Sequence, residues 1–405
     1  MNFKLKARIF SPFTHAKRLP LFLHRLNLTQ FRNYSELSLE FGPGINCLTG
    51  PNGAGKSNIL DAIHYLAFTR GFRSSQDQQV VQQGEQFFFN QGQFIREKVP
   101  ELVACNFIKG KGKKVLVNKV PLGRLSEHIG HVPLVAILPG DTDLINGASA
   151  DRRRFLDMLI SQYDRGYLQH LIQHDRLLSQ RNAQLRLFGE QGGFVAEDLA
   201  IWDQQIIPHG IAIQAERRAF LEKFQGIFDR FFHEIVSSQE KPHIRYRSHI
   251  EENTAEGWEA LWAKQLDKDR VNQYTSTGIH RDDLVFYIND RAVKNYGSQG
   301  QQKTFVIALK LAQYELLAQQ TGQAPLLLLD DLFDKLDQQR LARIAHMLDQ
   351  DIPGQIFITD TSQEKLEEIF AASSEREVRY YAVKSGEVEA GSESGELAED
   401  TSPRG

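Results

Sequence analysis

Gly50-Pro51-Asn52-Gly53-Ala54-Gly55-Lys56-Ser57, followed by Asn58, is the stretch that decides the fold. It matches G-x-x-x-x-G-K-[ST] at every fixed position and stands in the context that pattern requires. Ile45 to Thr49 reads as a strand and Asn58 to about Phe68 as a helix, so the loop joins a strand to a helix N-terminus. Glycines let backbone N–H groups wrap phosphates, and the helix adds the positive end of its dipole. The pattern therefore predicts a P-loop for ATP and Mg2+, with Lys56 on the β- and γ-phosphates and Ser57 on the metal.

Outward from the loop, residues 21–41 alternate like strand material, and Gly42 to Gly44 make a turn. Further strands are expected at Glu101 to Lys109, Lys114 to Val120 and Val132 to Leu138, the first two separated by a Lys/Gly turn. From Asp151 to about Lys268 the text has helical spacing, broken mainly at Gly192-Gly193 and Pro208, and reads as an inserted arm. Strand text returns at Asp283 to Asn289. A helix with Phe305, Ala308, Leu309, Ala312 and Leu316 on one stripe follows, then strands at Leu326 to Leu329 and Ile356 to Thr359. The expected fold is α/β, with a P-loop sheet drawn from both ends of the chain around a mostly helical insertion.

Two further motifs carry chemistry. The apolar strand Leu326 to Leu329 ends in Asp330-Asp331, which predicts a carboxylate for the Mg2+ shell from Asp330 and a group that orients or deprotonates water from Asp331. Both acids also fit helix caps. Ahead of the striped helix, Tyr296-Gly297-Ser298-Gln299-Gly300-Gln301 places Ser298, Gly300 and Gln301 at a second helix N-terminus suited to phosphate. One nucleotide does not need two such loops from one subunit. The economical arrangement is a two-fold homodimer in which this loop caps the nucleotide held by the partner's P-loop.

These residues resemble the ABC-type ATPase set. Lys56 and Ser57 match Walker A, Ser298 to Gln301 the signature loop, Asp330-Asp331 Walker B, and Asp334-Lys335-Leu336-Asp337 the D-loop. More closely, the blocks "LTQFRNYSELSLEFGPGINCLTGPNGAGKSNILDAIHYL", "GASADRRRFLD", "GIHRDDL", "YGSQGQQKT" and "LLLLDDLFDKLD" together resemble the RecF family of bacterial recombination mediators. The resemblance runs from about Leu21 to Val383. It implies an ABC-type P-loop ATPase head with an inserted helical arm, slow DNA-stimulated hydrolysis, and ATP-dependent dimerisation at single-strand gaps or single/double-strand junctions. It further implies RecA loading with RecO- and RecR-like loaders, a link to the SOS response, and a cytoplasmic, nucleoid-associated place. The alternative is an SMC-like or transporter-type subunit without a RecA-loading role. The gap from Lys56 to Ser298 is far longer than the resemblance to transporters implies, and the arm lacks sustained heptads. Three features depart from the ABC pattern: Asp331 stands where transporters have Glu, Thr359-Asp360-Thr361 contains no switch histidine, and no Q-loop glutamine lies near Leu138-Pro139-Gly140.

Cations nominated for DNA phosphates are Arg70 and Arg73 after the P-loop helix, Lys111, Lys113 and Lys114 in the hairpin turn, and Arg152, Arg153 and Arg154 at the start of the arm. A solvated charged face accounts for any one cluster equally well. Arg32-Asn33-Tyr34 is expected either at the nucleotide or in strand-end packing. His170 and His174, one helical turn apart, lack a third ligand and read as ordinary histidines.

Charge supplies no broad signal for nucleic acid. The total of -3 hides a basic stretch up to Leu19 and an acidic one from Ser385 that cancel, leaving the middle near -3, so DNA contacts must be local. With 41% hydrophobic and 24% charged residues, the chain is composed like a globular protein and not a disordered one. No apolar run reaches the length of a membrane span, and Cys47 and Cys105 lie too far apart to suggest zinc or a disulfide framework. The expected organisation is an extension over 1–20, ATPase lobe segments over 21–147 and 273–384, the arm over 148–272, and an acidic disordered tail over 385–405.

Overall fold

The computed structural model describes residues 21–393 apart from 75, 192, 237–238, 334–335 and 372–375. The expected extension over 1–20 lies outside the described residues. Strands β1 (Leu21–Phe31) and β2 (Tyr34–Glu40) precede β3 (Ile45–Thr49) and helix α1 (Lys56–Phe68). Next come β4 (Phe87–Arg96), β5 (Val99–Ile108), β6 (Gly112–Val117) and β7 (Val120–Pro121). These join β1 and β2 in an antiparallel sheet of order β2-β1-β4-β5-β6-β7. After β8 (Leu134–Ile137), a short turn α2 (Asp143–Asn146) leads into α3 (Ser149–Tyr163), α4 (Arg165–Gln191) and α5 (Ala196–Val236). Then follow β9 (Pro242–Arg247), α6 (Ala255–Asn272), β10 (Asp283–Ile288), β11 (Arg291–Ala292) and α7 (Val293–Tyr296). The last stretch comprises α8 (Gln299–Thr321), β12 (Leu326–Asp330), α9 (Gln338–Gln350), β13 (Ile356–Asp360), α10 (Gln363–Phe370), β14 (Val378–Lys384) and β15 (Glu387–Glu393).

The central sheet has the order β15-β14-β3-β13-β12-β8. From β14 to β8 all neighbours are parallel, and every residue of β3, β13, β12 and β8 is buried. Parallel strands covered on both faces carry continuous apolar runs, which is why Leu326 to Leu329 shows no alternation. Gln355 braces this sheet to the antiparallel one. Its buried carboxamide accepts from Leu23 N at 2.7 Å and donates to the Leu23 and Gly42 carbonyls at 2.9 and 2.7 Å.

Three expectations are corrected. Helix α5 runs through Pro208 without ending, because packing offsets the lost hydrogen bond: Ile206 and Ile207, just before the proline, are buried, and Gly210, just after it, lets the Trp258 indole approach the backbone. A Cβ on Gly210 would sit 2.2 Å from the Trp258 ring, so helices α5 and α6 meet there in a way no larger residue allows. Helix α8 is buried all round from Thr304 to Ala318, not on one stripe alone. Phe305 packs against Phe228, Phe232 and Phe286, and farther along the helix the Tyr314 hydroxyl accepts from the Gly354 N–H at 2.9 Å. The tail is the third correction. Glu387–Glu393 pairs antiparallel with β14 after a two-residue turn, Ser385-Gly386, with φ of 48° and 89°. An edge strand has unpaired backbone groups to satisfy, and this turn supplies the geometry of a tight hairpin. The tail beyond 393 lies outside the described residues.

Candidate functional site

All the parallel strands end at one edge, and the motifs gather there. β3 feeds the P-loop, β12 ends in Asp330, and β13 between them ends in Thr359-Asp360. Asp330 is thus two strand spacings from the P-loop strand, about 10 Å across the sheet. Gly50, Gly53 and Gly55 have φ of 142°, 82° and 120°, in the region that favours glycine. Gly50 and Gly55 are also short of space. A Cβ on Gly50 would meet the Val383 carbonyl oxygen at 2.1 Å, and one on Gly55 the Tyr34 hydroxyl at 2.5 Å. Pro51, Asn52 and Gly53 form the exposed tip of the loop, and Ala54 is buried beneath it.

Lys56 is buried, and its ammonium donates to the carbonyls of Gly50 and Pro51 at 2.6 and 3.0 Å, which holds it under the loop. Ser57, half-buried, follows at the first turn of α1. Asn58 links the loop to its surroundings: its amide donates to Asn33 Oδ1 at 2.7 Å, and its own Oδ1 accepts from Arg73 at 3.2 Å. Asn33 in turn donates to the Ala54 carbonyl at 3.3 Å. The Arg32 guanidinium is bound to the buried Asp61 at 2.6 and 2.9 Å, so in Arg32-Asn33-Tyr34 the arginine packs against the P-loop helix while Asn33 and Tyr34 touch the loop.

Asp330 is buried, and its Oδ1 accepts from the Thr359 hydroxyl at 2.8 Å. The same hydroxyl accepts from Asp331 N at 3.0 Å. Thr359 therefore fixes both acids of the motif. Asp331 has φ of 48°, the left-handed region that Asp enters more readily than most residues. Thr359 stands next to the position where a switch histidine was sought, and no motif marked it. Asp360 is occupied locally, paired with Lys365 at 3.0 Å and accepting from Ser362 N at 3.1 Å. Beside Asp330, in the loop after β8, Asp141 pairs with Lys310 of α8 at 2.9 Å. That pair was also invisible in the sequence, because its members are far apart in the chain and belong to no pattern.

Asp330 keeps Oδ2 without a hydrogen bond among the described residues, and the Ser57 hydroxyl lies at the helix N-terminus two strands away. Hard oxygen donors of this kind suit Mg2+, so the residues present fit that ion.

The signature loop is built differently. Ser298 caps α8, its Oγ accepting from Gln301 N at 3.2 Å while Gln301 Oε1 accepts from Ser298 N at 2.9 Å. This is a capping box, so the helix start is rigid although Ser298 is exposed. Gln301 also donates to Glu240 at 2.7 Å, and Arg340 of α9 donates to the Gly300 carbonyl and Thr304 Oγ1 at 3.1 and 3.0 Å. Gly300 is thereby tied to the helix that follows the D-loop, of which Asp334 and Lys335 lie outside the described residues. Among the described residues, no hydrogen bond joins Ser298, Gly300 or Gln301 to the span from Gly50 to Asn58.

The nominated DNA cations divide. Arg152 is buried and bound to Asp283 at 2.7 and 3.2 Å and to the Leu144 and Gly147 carbonyls, so it braces the start of the arm and offers nothing to DNA. Lys113 is likewise engaged, by the Thr69 carbonyl at 2.6 Å and Asp77 at 3.1 Å. Lys111 and Lys114 are exposed on the hairpin. Arg70, Arg73 and Arg154 line one cavity of about 680 Å3 that reaches Asp330. Arg153 donates to the Asp282 carbonyl at 2.7 Å and lines a second cavity. His170 meets His209 at 2.8 Å and His174 is buried, and no group of three or more metal-binding side chains occurs among the described residues. The two cysteines are free, buried and apart, and burial pushes the Cys105 thiol up to about 12. No described helix is long and apolar enough to cross a membrane.

Known proteins resemble this chain over most of its length. Residues 22–106 match the family model of the RecF/RecN/SMC N terminal domain. The DNA replication and repair protein RecF of Flavobacterium johnsoniae is 42% identical over 347 residues, 86% of this chain and 96% of that protein. Its counterpart in Cytophaga hutchinsonii is 39% identical over 371 residues, 91% of this chain and 97% of that protein. A solved structure of the recombination mediator RecF-ATP of the RecFOR pathway superposes with a TM-score of 0.84 at 30% identity, covering 93% of this chain and 100% of the other. A Pyrococcus furiosus Smc head domain shares the fold, with a TM-score of 0.53 at 14% identity and 92% and 96% coverage.

Proposed function

This chain belongs to the RecF family of DNA replication and repair proteins, ABC-type ATPases related to SMC heads, and from that premise we propose that it is an ATP-gated DNA clamp. ATP and Mg2+ bind one subunit through the loop from Gly50 to Asn58, with Ser57 and Asp330 on the metal. Ser298, Gly300 and Gln301 of a second copy complete the site, which makes the ATP-bound form a homodimer. Asp331 positions the attacking water, and hydrolysis, slow and stimulated by DNA, reopens the dimer. Bound there, Mg2+ would neutralise phosphate charge, while Lys56 and the loop N–H groups hold the phosphates in line.

The observation that carries this reading is the separation of the two phosphate-binding devices: each is internally rigid, and among the described residues no hydrogen bond connects them. Its DNA substrates are single-strand gaps and single/double-strand junctions in the nucleoid, its loaders are RecO- and RecR-like proteins, and its outcome is RecA loading and support of the SOS response. The RecFOR pathway to which the solved relatives belong supports those partners.

Size measurement with and without ATP, alone and with gapped, single-stranded or duplex DNA across a salt series, tests the clamp. The expected result is a monomer without ATP and a DNA-bound dimer with it. A monomer on DNA at saturating ATP overturns the clamp.

A further inference from the structure

Beyond the nucleotide edge, a recess of about 520 Å3 lies between the end of α1 and helices α3 and α4. Arg70, Arg153 and Arg154 line it together with an aliphatic group, Ile129, Leu171 and Ile172, and with the acids Asp157 and Asp175. Arg153 has Asp157, Asp282 and Asp283 near it, but Arg70 and Arg154 are poorly compensated. Arg70 is half-buried, and its hydrogen bond among the described residues runs to the Met158 thioether at 2.9 Å, a weak acceptor for a group with five N–H donors. Arg154 has Asp151 at 3.7 Å and otherwise faces solvent. The fourth arginine of the lining, Arg217, is already held by Asp157 at 2.8 Å. Burial, and then the charge of Arg154, pull Arg70 down in pKa; burial, and then Arg217, do the same to Arg153. A half-buried Arg70 with no acid paired to it among the described residues, close to an exposed Arg154, is stabilised by an incoming anion.

We propose that this recess takes an unpaired nucleotide of a DNA strand, its phosphate on Arg70, Arg153 and Arg154 and its base against Ile129, Leu171 and Ile172. The inference rests on the DNA-binding reading above and gives it a place. Volume decides for an unpaired nucleotide: the recess has the size of a small-ligand pocket, whereas a duplex keeps its bases stacked inside and offers only its rim. A base set against apolar side chains removes apolar surface from water and so adds affinity to the phosphate contacts. Arg70, Arg154, Phe68 and Met158 also line the cavity that reaches Asp330. The recess therefore shares part of its lining with the cavity that reaches the metal-binding carboxylate.

The test uses the full chain with saturating ATP and 2-aminopurine placed either in a single-strand overhang or inside a blunt duplex. Binding should raise the overhang signal severalfold and leave the blunt duplex signal flat. Arg154→Ala and, separately, Ile172→Glu on the exposed rim should each lower affinity for the overhang about tenfold more than for blunt duplex. The arginine variant should also reduce the salt slope by about 0.7. Equal losses on both DNAs, or an unchanged overhang signal in both variants, overturn the recess. Saturation of the recess by micromolar free deoxynucleotide without DNA would assign it to a small molecule and overturn the strand reading. Failure of the wild-type protein to bind any of these DNAs is the separate outcome that sinks the DNA-binding reading itself.

Discussion

The P-loop and the signature loop both open a helix, and they are held in opposite ways. The P-loop is enclosed: Gly50 and Gly55 press against Val383 and Tyr34, and Lys56 is buried with its ammonium on the Gly50 and Pro51 carbonyls. The signature loop is closed on itself through the Ser298 and Gln301 capping box, and it turns an exposed Ser298 and an exposed Tyr296 outward. A phosphate device that must grip nucleotide needs the first arrangement. One that must meet a nucleotide already gripped by another copy needs the second, because preorganisation without enclosure lets a partner reach it.

The contrast can be broken at either loop. Asp331→Asn should have the largest effect, slowing turnover roughly 100- to 10,000-fold while ATP still binds, and trapping a dimer on DNA. Asn also tolerates the left-handed φ at this position, so the fold survives, and turnover at the wild-type rate in a phosphate-release assay would remove Asp331 from the mechanism. Lys56→Ala should weaken ATP binding about 100-fold, the loss expected for ~3 kcal/mol of charged hydrogen bonding, as read by calorimetry. Ser298→Arg should leave ATP binding by the monomer intact yet weaken the ATP-dependent dimer about 30-fold, ~2 kcal/mol for a long side chain forced into a packed contact. A dimer of undiminished affinity on a sizing column would show that Ser298 does not face the partner. Thr359→Val should cost ~1.5 kcal/mol in thermal unfolding, because Asp331 N loses its acceptor, and Thr359→Ser should recover most of it.

What could be read in advance was what local pattern determines. A P-loop is defined by consecutive residues, and the leucine run before Asp330 can hardly be anything but a doubly covered strand. Features that depend on distant partners stayed hidden. Arg152, Arg153 and Arg154 look alike in sequence, yet Arg152 is buried against Asp283, 131 positions away, whereas Arg154 stays exposed. Clustered charge says nothing about which member finds a partner. Thr359 and the pair Asp141 and Lys310 carry no motif and acquire a role only through sheet order. Pro208 was misread because a local rule was outweighed by tertiary packing around Gly210, and the strand after Ser385 because composition cannot reveal an edge in need of a partner.

The order of the central sheet also bears on how the protein is made. Strand β3 pairs on one side with β13 and on the other with β14, in the registers Ile45 with Ile356 and Ile45 with Val378. Neither neighbour exists until some 310 further residues have been synthesised, about 15–60 s at bacterial elongation rates of roughly 5–20 residues per second. Until then the strand that carries the P-loop has two bare edges beside an apolar face. Nascent chains of this protein are therefore expected to depend on chaperone shelter through most of their synthesis, and a ribosome stalled before residue 356 should expose its P-loop segment to protease while the antiparallel sheet is already closed.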